Sequence, residues 1–146
     1  MSAPGNTLAL LAKVESLHQA MEFVRKGAGE ADLPAARLGE LDLLVEEIFL
    51  NVCHHAYPQD AQGMVTITYW VPAPGALEVE VADQGTEFNP LTVAPPDVTL
   101  ELADRPIGGL GIFLVKGLAP SLSHRREDGW NRVTFGFSAS SKERCE

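Results

Sequence analysis

Leu38, Leu41, Val45, Ile48, Phe49 and Val52 recur at steps of three and four, the spacing of one face of an α-helix. A stripe this regular must be covered, so the chain has to set a second apolar layer against it. Pro34 suits the first turn of this helix, where a missing N–H costs nothing. Pro58 pushes Tyr57 out of helical backbone, so the helix is predicted to end near Tyr57. Between these limits Glu47, Asn51 and His55 are each four apart, about 40° of rotation per step, and share one face beside the stripe. Glu46, five residues before Asn51, points roughly 140° away from it.

The covering layer is written in β-periodicity. Residues 65–71 are rich in β-branched and aromatic side chains and predict a strand. After a turn at 72–75, residues 77–82 alternate apolar side chains with Glu78 and Glu80, completing an antiparallel hairpin. Two closing strands, 122–126 and 133–137, flank a turn at Asp128 and Gly129. Residues 7–12 predict a short first strand, and Leu17, Met21 and Val24 place a helix over 14–26. The Gly- and Ala-containing stretch 27–33 is read as a turn, and 111–118 as a third helix behind a glycine cluster. Residues 84–107 hold Pro90, Pro95, Pro96 and Pro106, and a stretch of that length is a functional lid or disordered. Trp70 and Trp130 read as core or sheet-face packing. The expected architecture is an α/β two-layer sandwich, a single domain over 1–146 with helices on one face of a mixed, mostly antiparallel sheet.

Charge narrows the partners. Eleven Lys and Arg against twenty Asp and Glu give a net charge of −9. Nucleic acid and anionic membrane surfaces need a basic face and are therefore poor partners. A small polyanion remains admissible, because backbone N–H groups can hold it locally. Cys53 and Cys145 are too few for a disulfide framework, and no C-x-x-C pair marks a zinc site. His54 and His55 are adjacent on the helix, about 100° apart, which disfavours joint chelation. No basic, apolar leader or bilayer-length run is found, so the cytoplasm is the expected location.

Three segments carry chemistry when taken together. Glu47 and Asn51 share a helix face: an amide oxygen suits Mg²⁺, and a carboxylate one turn away can take a proton near that metal. Asp83-x-Gly85 follows a strand, where a carboxylate can accept from an exocyclic amine while glycine keeps the backbone clear of a flat base. Gly108, Gly109, Leu110 and Gly111 open a helix whose free N–H groups can meet an anion.

In this order the segments resemble three boxes of the ATPase superfamily shared by gyrase, histidine kinases, heat-shock chaperones and mismatch-repair proteins. EEIFLNVCHHAY is similar to the N box, VADQGTEF to the first glycine box and RPIGGLGIFLVKGL to the second. The helix reading Glu-x-x-x-Asn-x-x-x-His-Ala-Tyr and the ending HRREDGWNRVTF resemble the small anti-sigma-factor serine kinases. That resemblance implies the Bergerat-type ATP-binding fold, with ATP and Mg²⁺ as cofactors and a lid over 89–107. It implies Glu47 as general base, Asn51 as Mg²⁺ ligand, Asp83 on the adenine amine and Gly85 in the base pocket. Gly108, Gly109, Leu110 and Gly111 would then face the phosphates. The implied partners are a small STAS-type anti-sigma-antagonist that is phosphorylated on serine, a sigma factor, and a second copy of the chain.

One departure stands out. Some kinases of this group carry an Arg directly before the second glycine box, whereas Ile107 holds that place here and Arg105 lies two residues earlier. The alternative function is thus a nucleotide-gated partner-binding regulator without efficient phosphoryl transfer. Arg125 and Arg126 read as flanks of a surface turn.

Overall fold

The computed structural model describes residues 6–57, 63–86 and 122–139. Their elements, in chain order, are β1 (Asn6–Leu11), α1 (Leu17–Glu30), α2 (Leu38–His55), β2 (Met64–Ala73), β3 (Ala76–Asp83), β4 (Ser123–Glu127) and β5 (Trp130–Ser138). A short 3-10 turn leads into each helix, Val14–Ser16 before α1 and Ala35–Arg37 before α2. The strands form one sheet in the order β1-β2-β3-β5-β4, and every described ladder is antiparallel. The expected third helix, the stretch 87–121 and with them the lid and the glycine cluster lie outside the described residues.

Strand alternation decides which face the helices cover. Val65, Ile67 and Tyr69 on β2, Leu77, Val79 and Val81 on β3, and Val133, Phe135 and Phe137 on β5 all point into the core. They meet Leu41, Leu44, Val45, Ile48, Phe49 and Val52 of α2, so the predicted stripe is buried as expected. The opposite sheet face is polar, with Arg132 bonded to Glu80 at 3.0 Å and set over the Trp130 ring. The Asp128–Gly129 hairpin turn has φ of 52° and 85°, the left-handed pair that matches the twist of the strands it joins.

α1 corrects one expectation. Residues 27–30 do not turn; they extend the helix to Glu30. Gly27 is buried because a Cβ there would sit 2.7 Å from Tyr69 Cδ1, so glycine lets the helix lie close on β2. The helix stops three residues further on. Asp32 takes φ 59°, Leu33 N–H bonds the Ala28 carbonyl and Asp32 N–H bonds that of Gly29, a capping pattern usually built on glycine.

Candidate functional site

α2 reaches its C-terminal end beside the ends of β3 and β5. Ile48, Asn51, Val52 and Ala56 of the helical segment, Asp83 of β3, and Asn131 and Val133 of β5 line one open cleft. Four apolar side chains form its walls, and three polar ones converge on it.

Those three are buried. Asp83 is 4% exposed, Asn131 3% and Asn51 7%. Burial of this kind demands partners. Asp83 Oδ1 accepts from Gly85 N–H and from Asn131 Nδ2, both at 2.9 Å. Among the described residues both bonds fall on that one oxygen. Asn131 Nδ2 also donates to the Thr86 carbonyl at 2.9 Å, so one amide joins β5 to the carboxylate and to the turn beyond it.

Asn51 is oriented by its own helix. Its Nδ2 donates to the Glu47 carbonyl at 2.7 Å. A carbonyl cannot donate, so the amide nitrogen has to face it and Oδ1 is turned away. A metal-ligating role would call on that oxygen. Among the described residues no three His, Cys, Asp or Glu side chains cluster as a metal site. A divalent cation at Asn51 would therefore draw most of its ligands from phosphate oxygens and water, which is the habit of Mg²⁺. The residues present fit that ion.

Glu47 stands one turn back on the same face and does not line the cleft itself. Burial, and then the neighbouring Glu46 carboxylate, push its carboxyl above the ordinary 4.5. A general base gains proton affinity from such a shift. His55 continues the face with much of its surface exposed, and partial desolvation followed by His54 lowers its pKa.

The turn after β3 is held tightly. A Cβ at Gly85 would overlap the Ala56 carbonyl, and Thr86 N–H donates to that same carbonyl at 2.7 Å. The structure thus gives Gly85 a reason of its own, the approach of α2. Arg126 Nη1 bonds the Gly85 carbonyl at 2.9 Å, so this residue does more than flank a surface turn. Asn131 had no part in the sequence reading, although a signal was present. It is the polar residue in the inward series Asn131, Val133, Phe135 and Phe137. Arg105, Gly108, Gly109, Leu110 and Gly111 lie outside the described residues.

The sheet and its helical layer are those of a known class. Residues 10–137 match the model of the histidine kinase-like ATPase domain, and the chain belongs to that family. It is similar to the serine-protein kinase RsbW of Listeria monocytogenes, 30% identical over 127 residues, covering 84% of this chain and 80% of that one. It is also similar to the serine/threonine-protein kinase BtrW of Bordetella bronchiseptica, 25% identical over 135 residues, covering 92% and 94%. Among solved structures, one holding the RsbU and RsbW domains of a Mycobacterium tuberculosis protein aligns with a TM-score of 0.63 at 14% identity. This likeness covers 93% of the chain but 32% of that one. A histidine kinase domain from Erythrobacter litoralis aligns with a TM-score of 0.52 at 23% identity, covering 77% and 48%. Both structures bear on the fold alone. No described helix is long and apolar enough to cross a membrane.

Proposed function

We propose that the chain is an ATP-dependent serine protein kinase of the anti-sigma-factor type, acting in the cytoplasm on a small STAS-type antagonist protein. One observation carries the reading: Asn51, Asp83 and Asn131 converge on a single apolar-walled cleft, with Glu47 a helical turn from Asn51. The serine-kinase relatives support the same reading.

Asp83 offers Oδ2 to the amino group of adenine, while Ile48, Val52, Ala56 and Val133 enclose the flat base. Asn51 offers Oδ1 to Mg²⁺, which when bound neutralises charge on the phosphates. Gly108, Gly109, Leu110 and Gly111 give backbone N–H groups to the phosphates, and Arg105 is the nearest cation in sequence to that box. Glu47 takes the proton of the acceptor serine as its Oγ bonds to the terminal phosphorus and the bond to the β-phosphate oxygen breaks, releasing ADP. The phosphate then adds charge to the antagonist and weakens its docking, which frees this chain for a sigma factor.

Incubation with γ-labelled ATP and candidate antagonist domains tests the reading. Label is expected on a serine of the antagonist, lost in Glu47→Ala with nucleotide binding retained, and kept in Glu46→Ala. The rate rises with pH through the Glu47 pKa. Removing Glu46 takes away a like charge, so that rise moves to lower pH. ATP binding without any transfer selects the partner-binding regulator instead, and loss of label in Glu46→Ala alone would refute the helical phase.

A further inference from the structure

Tyr57 closes the helical motif and has no role in the chemistry above, yet its hydroxyl makes two bonds. It donates to the Met64 carbonyl at 2.7 Å and accepts the Gln84 N–H at 3.0 Å. Its ring lies on Gly63, where any Cβ would overlap it. One phenol therefore joins the end of α2, the start of β2 and the residue directly after Asp83.

The turn beyond Asp83 has three successive N–H donors, each with its own acceptor. Gln84 goes to Tyr57 Oη, Gly85 to Asp83 Oδ1, and Thr86 to the Ala56 carbonyl. The outer two run to adjacent residues at the end of α2. The middle one shares Oδ1 of the carboxylate with Asn131 Nδ2. Asn131 holds Oδ1 from the β5 side, and the direction in which Asp83 aims Oδ2 depends on this turn as well.

We infer that Tyr57 is a positioning residue for Asp83: its hydroxyl holds the 84–86 turn so that the carboxylate stays aimed at the amino group of the base. It rests on the nucleotide reading above and deepens it, because α2 then ties base recognition to the helix that carries Asn51 and Glu47. Phenylalanine at 57 keeps the ring on Gly63 but takes the acceptor from Gln84 N–H. With the turn loosened, the Gly85 bond no longer selects one carboxylate orientation.

The test compares Mg-ATP with purine riboside triphosphate, which lacks the 6-amino group, and measures amide hydrogen exchange without nucleotide. The parent is expected to prefer ATP by about tenfold or more, the scale of one lost hydrogen bond to a buried carboxylate. Tyr57→Phe should narrow that preference to within about threefold while leaving affinity for the analogue nearly unchanged. Its Gln84, Gly85 and Thr86 amides should exchange faster. Tyr69→Phe, which removes a hydroxyl bonded to Glu30 four residues along β2 from the Val65 opposite Asp83, should keep the full preference. Faster amides with the preference intact, or unchanged amides, would overturn the role of Tyr57 alone. A parent that shows no preference would refute the nucleotide reading itself, and this role with it. If Tyr57→Phe does not fold, fluorotyrosine at 57 keeps the ring and weakens the hydroxyl as an acceptor. It should lower the preference part of the way, and an unchanged preference would again overturn the role.

Discussion

On the proposed reading Asp83 divides its two oxygens between structure and ligand. Oδ1 takes the Gly85 and Asn131 donors, so an asparagine at 83 can keep both bonds with its carbonyl and present its NH₂ where Oδ2 stood. Asp83→Asn is therefore expected to fold normally, with Tm within about 4 °C of the parent. Its affinity for ATP should fall by about tenfold or more, because a donor then faces the amino donor of the base. Calorimetry that finds equal affinity in the two proteins would remove Asp83 from the pocket. At this scale, residue type and spacing were informative. Asp83 and Asn51 were visible as a carboxylate after a strand and an amide on a helix face, and the cleft contains both. Asn131 was visible only as a polar gap in an inward series, and its meaning depends on β5 pairing with β3 at Asp83. Gly85 was visible as a glycine, but its contact with Ala56 depends on how near the end of α2 comes.

Elements announced themselves by period, and their ends by local punctuation, with one instructive exception. A glycine beyond an apolar stripe usually marks the end of a helix, and Gly27 invites that reading. The helix continues because Gly27 answers to Tyr69, a residue 42 positions away that no local pattern connects to it. Gly29 is different, being exposed and with nothing within 4 Å of an added Cβ. Two substitutions in one helix should thus have opposite signs. Gly27→Ala pushes a methyl into the Tyr69 ring and is expected to cost about 1–3 kcal/mol, as overpacking does. Gly29→Ala only stiffens the chain and is expected to stabilise by about 0.5 kcal/mol. Urea unfolding of both variants decides the matter, and equal midpoints would mean that α1 does not lie on β2 as closely as described.

The whole molecule adds a field that no single contact contains. The order β1-β2-β3-β5-β4 follows from strand pairings, whereas the net charge of −9 is readable from composition. An acidic chain that binds a nucleotide polyanion works against its own long-range repulsion. On the proposed reading Asn51 shares a cation with the phosphates, so that cation should relieve repulsion as well as supply a contact. Ligand binding to the folded state raises stability by mass action, about 2.7 kcal/mol at 100 times Kd. For a chain of this size that is roughly 8 °C in Tm. Mg-ATP is expected to give a shift of this order, and EDTA to remove much of it. Asn51→Ala with Mg²⁺ present should resemble the parent in EDTA, and adding EDTA to that variant should do little more. Among the described residues the Asn51 side chain bonds only the Glu47 carbonyl, which the helix ladder already engages, so the apo variant should melt near the parent. Screening then separates field from contact. The Debye length falls from about 30 Å at 0.01 M salt to about 8 Å at 0.15 M. If repulsion across the chain matters, the loss caused by EDTA should be larger at the lower salt. An equal loss at both salt levels would assign the whole effect of the metal to the cleft and none of it to the charge of the molecule.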